Sequence, residues 1–364
     1  MIVVVGHERR LSVSLEVQLG IGLGFARFSP THWGCGRLRR IEQGYRLMAI
    51  PVERRASTVG GFAQARLAGL DLLRLLAALA VVGFHYFYAG PTRGLTDVSF
   101  PEFSDVARYG FLGVQLFFVI SGFVIAASVE GRSAWQFGIA RAARLYPAHV
   151  VCMTMTAVLV AVWPSPYHVT GSQWVANLTM VAPVFGQSFM DGAYWSIVVE
   201  ITFYGWVGLL LWFGVLQRRL LTILAVWMVV AIVNEAVLGS KVVRLLAITE
   251  HAPLFVSGVI LQRLWTGDRR IALLMIGAAA VIVGGIHGQS AIPYFDAVYG
   301  DRLSTMMLWG LHFGIYGAFV MALWSSRWLA ARPAVLVLGG LTYPLYLLHQ
   351  NAGYTLIGHV EPIA

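Results

Sequence analysis

A chain of 364 residues that is 58% hydrophobic, 12% charged and of mean hydropathy +0.72 is not an ordinary soluble enzyme, because soluble domains carry about 25% charged residues. The apolar content also excludes disorder. The excess of 26 Lys+Arg over 17 Asp+Glu lies before and between apolar runs, a placement that reads as membrane orientation and not as a nucleic-acid surface. An all-α, polytopic membrane helix bundle is expected, in contact with lipid and without a nucleic-acid partner.

Residues 1–65 differ from the rest. The first 66 positions hold ten Arg and four Glu, and so contribute +6 of the total +9. The stretch 11–28 is interrupted by Glu16, Gln18 and Arg27, which makes it a poor span. It also lacks the ordered charged, apolar and small-residue regions of a cleavable signal peptide. Met48 precedes a short basic leader, 51–66, that runs straight into the first strong apolar segment. Translation is expected to start at Met48, leaving 1–65 as a basic N-terminal extension to a membrane domain at 66–364. The alternative is a genuine cytoplasmic tail.

Nine apolar stretches then follow, each of roughly the 16–25 residues that a bilayer core requires of a helix. They lie near 70–88, 109–129, 146–163, 194–216, 220–238, 245–264, 271–286, 303–324 and 334–353. The segment 174–186 is too short to span and contains Pro183, so it is read as interfacial or re-entrant. With the N-terminus inside, the inner connectors hold ten cations and the outer connectors five. This predicts a cytoplasmic N-terminus. Two cysteines, Cys35 and Cys152, supply neither a disulfide framework nor a metal site.

Ionisable groups inside spans are costly and mark candidate sites. The first span carries Arg74 and, eleven positions on, His85. Eleven steps of 100° pass three whole turns by about 20°, so both share one helix face, roughly 16 Å apart. Before the third span, Arg141 and Arg144 share a face at i,i+3, at the same inner level as Arg74. Guanidinium forks suit phosphate oxygens, although each of these residues also fits an ordinary inner anchor.

The second span contains Ser121-Gly122, a close-approach point for a narrow ligand or another helix. No nucleophile elbow surrounds Ser121. Glu200 in the fourth span is expected within about 5 Å of the level of His85, near enough to orient its ring and raise its basicity. His349, which ends the run 341–349, and His251 and His312 read more readily as structural.

Taken together, the Arg74-x10-His85 face, Gly113–Phe123, Arg141–Pro147, the stretch from Trp195-Ser196 through Glu200 to Tyr204, and Tyr343–Gln350 resemble the acyltransferase-3 family of integral membrane O-acyltransferases. The resemblance covers position 70 to the C-terminus. It implies an acyl-CoA donor, usually acetyl-CoA, taken from the cytoplasm. The acceptor it implies is a hydroxyl on a carbohydrate or a lipid-linked or other envelope molecule, and the location a bacterial plasma membrane. His85 and Arg74 would be the signature pair, with Arg141, Arg144 and Glu200 at the family's other recurring positions. The resemblance also implies a further helix after 343–350, so a terminal helix is expected to be missing here.

The roles that follow are His85 as general base, Glu200 as its orienting carboxylate, and Arg74, Arg141, Arg144 and Ser121 around the donor. A covalent acyl-histidine is the alternative route. Two rival functions stay open. One is a secondary transporter using His85 and Glu200 as a proton relay, which would show paired, broken half-repeats. The other is an inactive, truncated family member.

Overall fold

Apolar runs of this length satisfy their backbone hydrogen bonds internally as helices, the form that a bilayer demands. The computed structural model describes residues 67–96, 100–329 and 333–360. The expectations for 1–65 and for a start at Met48 lie outside the described residues. Among those described there are only helices and connecting turns, and eight helices are long and apolar enough to cross a membrane. The protein is an all-α, multi-pass membrane bundle.

Helix α1 (Ala68–Phe84) continues into a π-helical turn, His85–Ala89, and a last turn at Gly90–Thr92. The short α2 (Pro101–Ala107) leads into α3 (Gly113–Ser128). Helix α4 (Ala134–Val162) begins well before the apolar run that announced it. Its start is set by a capping box in which Ser133 and Gln136 bond each other's backbone N–H. Arg141 and Arg144 therefore sit on a regular helix. After α5 (Gly171–Asn177) come α6 (Trp195–Trp212), α7 (Leu220–Val233), α8 (Lys241–Ala247) and α9 (Ala252–Trp265). The chain goes on through α10 (Ile271–Gly288), α11 (Ala291–Tyr299), α12 (Thr305–Leu329), α13 (Pro333–Leu348) and α14 (Asn351–Val360).

The core is the meeting of α1, α3, α9, α12 and α13. Helices α3 and α9 touch backbone to backbone at a reciprocal pair of glycines. A Cβ on Gly122 would fall 2.2 Å from the Phe255 carbonyl oxygen, and one on Gly258 would fall 2.1 Å from that of Val119. Ser121-Gly122 is thus a helix–helix contact of the small-residue kind. On the outside of α4, Val151, Met155, Val158 and Val162 are all about half exposed or more. They repeat at helical spacing, which makes an apolar stripe turned to lipid.

One expectation fails at 334–353. A single ninth span is replaced by α13 and α14, separated at His349-Gln350, with only Val337–Leu348 counted as a shorter apolar helix. The cause is remote in sequence. Asp191, fully buried, accepts the Asn351 N–H at 2.7 Å through Oδ2 and the Ala193 N–H at 3.0 Å through Oδ1. A carboxyl oxygen at that point caps a new helix start, and Asn351 returns a hydrogen bond to the Met190 carbonyl.

Candidate functional site

Five of the six residues singled out from sequence line one cavity. Arg74, Ser121, Arg141, Arg144 and Glu200 surround a space of ≈ 100 Å³ at one end of the bundle, together with Tyr204 and Tyr346. Arg74 and Arg144 also line a wider cleft of ≈ 560 Å³ with Asp71 and Tyr343. Arg74 is tied to Asp71 one turn earlier, Nη1 to Oδ1 at 2.9 Å. Arg141 lies near the rings of Phe137 and Tyr204, at 5.8 and 5.9 Å. Its Nε and Nη1 are buried and have no hydrogen-bond partner among the described residues. Buried donors left open are costly, and an anion entering the cavity would satisfy them.

Glu200 belongs to this end. Its Oε1 accepts the Ser121 hydroxyl at 3.2 Å and the hydroxyl of Tyr204 one turn on. The expected pairing with His85 is not made. Height along the bundle predicted closeness, but Val114, Phe118 and Tyr346 stand between, lining both this cavity and the next. Ser121 is thus a donor to this carboxylate.

His85 lines a second cavity of ≈ 490 Å³, with Gln115, Trp195, His251, Tyr294, Tyr299 and Gln350 among its walls. It is the first residue of the π-helical turn, a local widening that often marks functional sites. Its ring is held by Tyr354, whose Oη is 3.1 Å from His85 Nδ1 and 3.0 Å from the His85 carbonyl oxygen. A carbonyl only accepts, so the single Tyr354 proton goes there. His85 Nδ1 must then carry the hydrogen and donate it to Oη, which leaves Nε2 as the basic nitrogen. The Arg74-to-His85 stretch is α-helical up to Phe84, so the two groups occupy one side of α1, each at its own cavity.

Sequence reasoning missed Tyr354 and Asp191. Tyr354 lies five positions after His349, a poor match to one helical face, and only the break before α14 turns Tyr354 onto His85. Asp191 carried a signal of a kind, a lone carboxylate just before Tyr194-Trp195-Ser196. Burial pushes its carboxyl up to about 7, against the backbone N–H groups of Ala193, Asn351 and Ala352, which pull it down.

Comparison with known proteins bears on the family of the chain. A family model described as an acyltransferase domain matches residues 67–363. Acyltransferase MdmB of Streptomyces mycarofaciens is 28% identical over 214 residues, 55% of this chain and 52% of that protein. Nodulation protein 10 of Rhizobium leguminosarum bv. viciae is 26% identical over 340 residues, 80% of this chain and 87% of that protein. The chain thus spans about half the length of the first relative and most of the second. No solved structure matches. With a match that runs from the start of α1 to the end of the bundle, the chain belongs to the acyltransferase-3 family of membrane acyltransferases.

Proposed function

We infer that this acyltransferase takes an acyl group, most simply acetyl, from acyl-CoA at its arginine end. The group passes to a hydroxyl of a carbohydrate or lipid-linked envelope acceptor in the His85 cavity. The observation that carries this reading is the Arg141 guanidinium, with two buried open donors in a cavity that Arg74 and Arg144 also line. Three guanidiniums at one level match the phosphates of CoA. The N-terminus of α1 then faces the cytoplasm of a bacterial plasma membrane, the side on which acyl-CoA is found.

In this reading the acyl thioester reaches His85 past Val114, Phe118 and Tyr346, the side chains common to the two cavities. His85 Nε2 takes the acceptor's hydroxyl proton as the oxygen attacks the thioester carbon. The departing thiolate carries that proton away as a thiol. Glu200 serves the donor end, fixing Tyr204 and Ser121 beside the arginines. Trp195, Tyr294 and Tyr299 offer ring faces to a bulky hydroxylated acceptor.

The test is transfer by purified full-length protein in nanodiscs, with radiolabelled acetyl-CoA and hydroxylated acceptors that include simple glycosides. Acceptor-dependent labelling that His85→Ala abolishes at matched folded protein is the expected result. Labelling that persists in His85→Ala removes His85 from the chemistry. Complete absence of labelling with every donor length tried refutes the acyl-CoA reading.

A further inference from the structure

His349 is a buried polar group beside His85 that the reaction above leaves without a task. It is 2% exposed, and its ring centroid lies 4.9 Å from that of His85, tilted by 58°. Its Nδ1 is 2.7 Å from the Tyr346 carbonyl oxygen, which only accepts, so Nδ1 carries the hydrogen. The other nitrogen, Nε2, is buried and finds no partner among the described residues. A neutral imidazole held in one tautomer with its lone pair open is an unspent acceptor.

The position is over-determined. The Tyr86 hydroxyl, next in sequence to His85, donates to the His349 carbonyl oxygen at 2.6 Å. A Cβ on Gly353 would fall 1.9 Å from that same hydroxyl oxygen, so α14 fits against Tyr86 only as glycine there. Asp191 fixes the start of α14 from the far side of the break. Three separate contacts thus hold the chain around His349 where its ring lies against His85.

We propose that His349 is a positioning residue for His85, its open Nε2 stabilising the imidazolium while His85 carries the acceptor's proton. The proposal rests on the acyl-transfer reading and deepens it, giving His349 the part that sequence reasoning assigned to Glu200. The proton balance is simple. The acceptor O–H proton moves to His85 Nε2 as the O–C bond forms and the C–S bond breaks, and the same proton leaves on the thiol sulfur. His349 gains and loses none.

The substitution that separates this role from packing is His349→Asn. Its amide N–H reproduces the bond to the Tyr346 carbonyl but nothing replaces Nε2. In nanodiscs, with acetyl-CoA as donor and a simple glycoside as acceptor, kcat per folded protein should fall on the order of 100-fold while the donor KM stays put. In parallel, solid-state 15N spectra of histidine-labelled protein, with His85 assigned by His85→Ala, should show the His85 ring signals displaced in His349→Asn. His349→Gln, which can present an amide oxygen near the Nε2 position, should recover part of the lost kcat. Near-wild-type kcat in His349→Asn overturns the proposal and leaves the acyl-transfer reading standing. If the wild-type protein transfers no acyl group, that reading falls and the 15N signals alone decide the pairing. Unchanged His85 signals in His349→Asn then overturn it.

Discussion

Tyr354 and His85 make a two-point contact across 269 positions of sequence, with the phenol oxygen 3.1 Å from the ring Nδ1 and 3.0 Å from the backbone carbonyl of the same histidine. The carbonyl takes the phenol proton, the phenol oxygen takes the ring proton, and the tautomer is settled. That contact joins the last described helix to the first, at a histidine that lines the second cavity.

Tyr354→Phe should keep the ring packing and lose the tautomer. The expected cost is about 1 kcal/mol of stability for the lost hydrogen bonds, and a kcat lowered about 10-fold to 100-fold at unchanged donor KM. Turnover per folded protein, set beside a thermal unfolding curve, checks both. A variant with full kcat would mean that His85 holds its tautomer without help.

Replacing Arg141 by Ala should raise the apparent donor KM about tenfold, the worth of one charge-assisted hydrogen bond, and leave the acceptor KM alone. Arg141→Lys should recover little, because a point charge cannot use the Nε and Nη1 directions that stand open. Steady-state kinetics with each substrate varied in turn are enough. A rise confined to the acceptor KM would place the donor elsewhere.

Asp191 makes a pH-dependent contribution with a definite sign. Its carboxyl is raised from 3.8 to about 7 by burial, so the folded chain holds a proton that the unfolded chain has released. Stability from this group is complete below about pH 4 and is lost as pH rises towards 7. The loss is on the order of a few kcal/mol. Asp191→Asn should flatten this part of the profile while retaining one carbonyl oxygen for the α14 cap. Thermal unfolding at pH 5 and pH 8 tests it, and parallel slopes for the two proteins would contradict the account.

Gly258→Ala should destabilise the α3–α9 contact, since the added carbon would meet the Val119 carbonyl oxygen at 2.1 Å. An overpacked site of this kind costs about 1–3 kcal/mol. Gly205→Ala, where a Cβ meets nothing within 4 Å, is the matched control and should leave unfolding unchanged. Equal midpoints for the two variants would show that the helices separate without penalty.

The sequence by itself determined the class of the molecule, because hydropathy and charge placement are properties of composition along a line, and a bilayer reads them directly. It also determined that Arg74 and His85 share a side of α1 and that Arg141 and Arg144 share a face, because helical periodicity acts over a few turns. What it left to the tertiary structure was every relation between helices. Glu200 was levelled with His85 by counting residues along two axes, yet rise along an axis says nothing of rotation about it. Phe118 and Tyr346 occupy the gap between them. The break at His349-Gln350 carries no proline or glycine of its own, because its cap is a carboxylate 160 positions earlier. Tyr354 and His349 reach His85 only through that break. An apolar span has many equivalent ways to face its neighbours, and the few buried hydrogen bonds and glycine contacts select one.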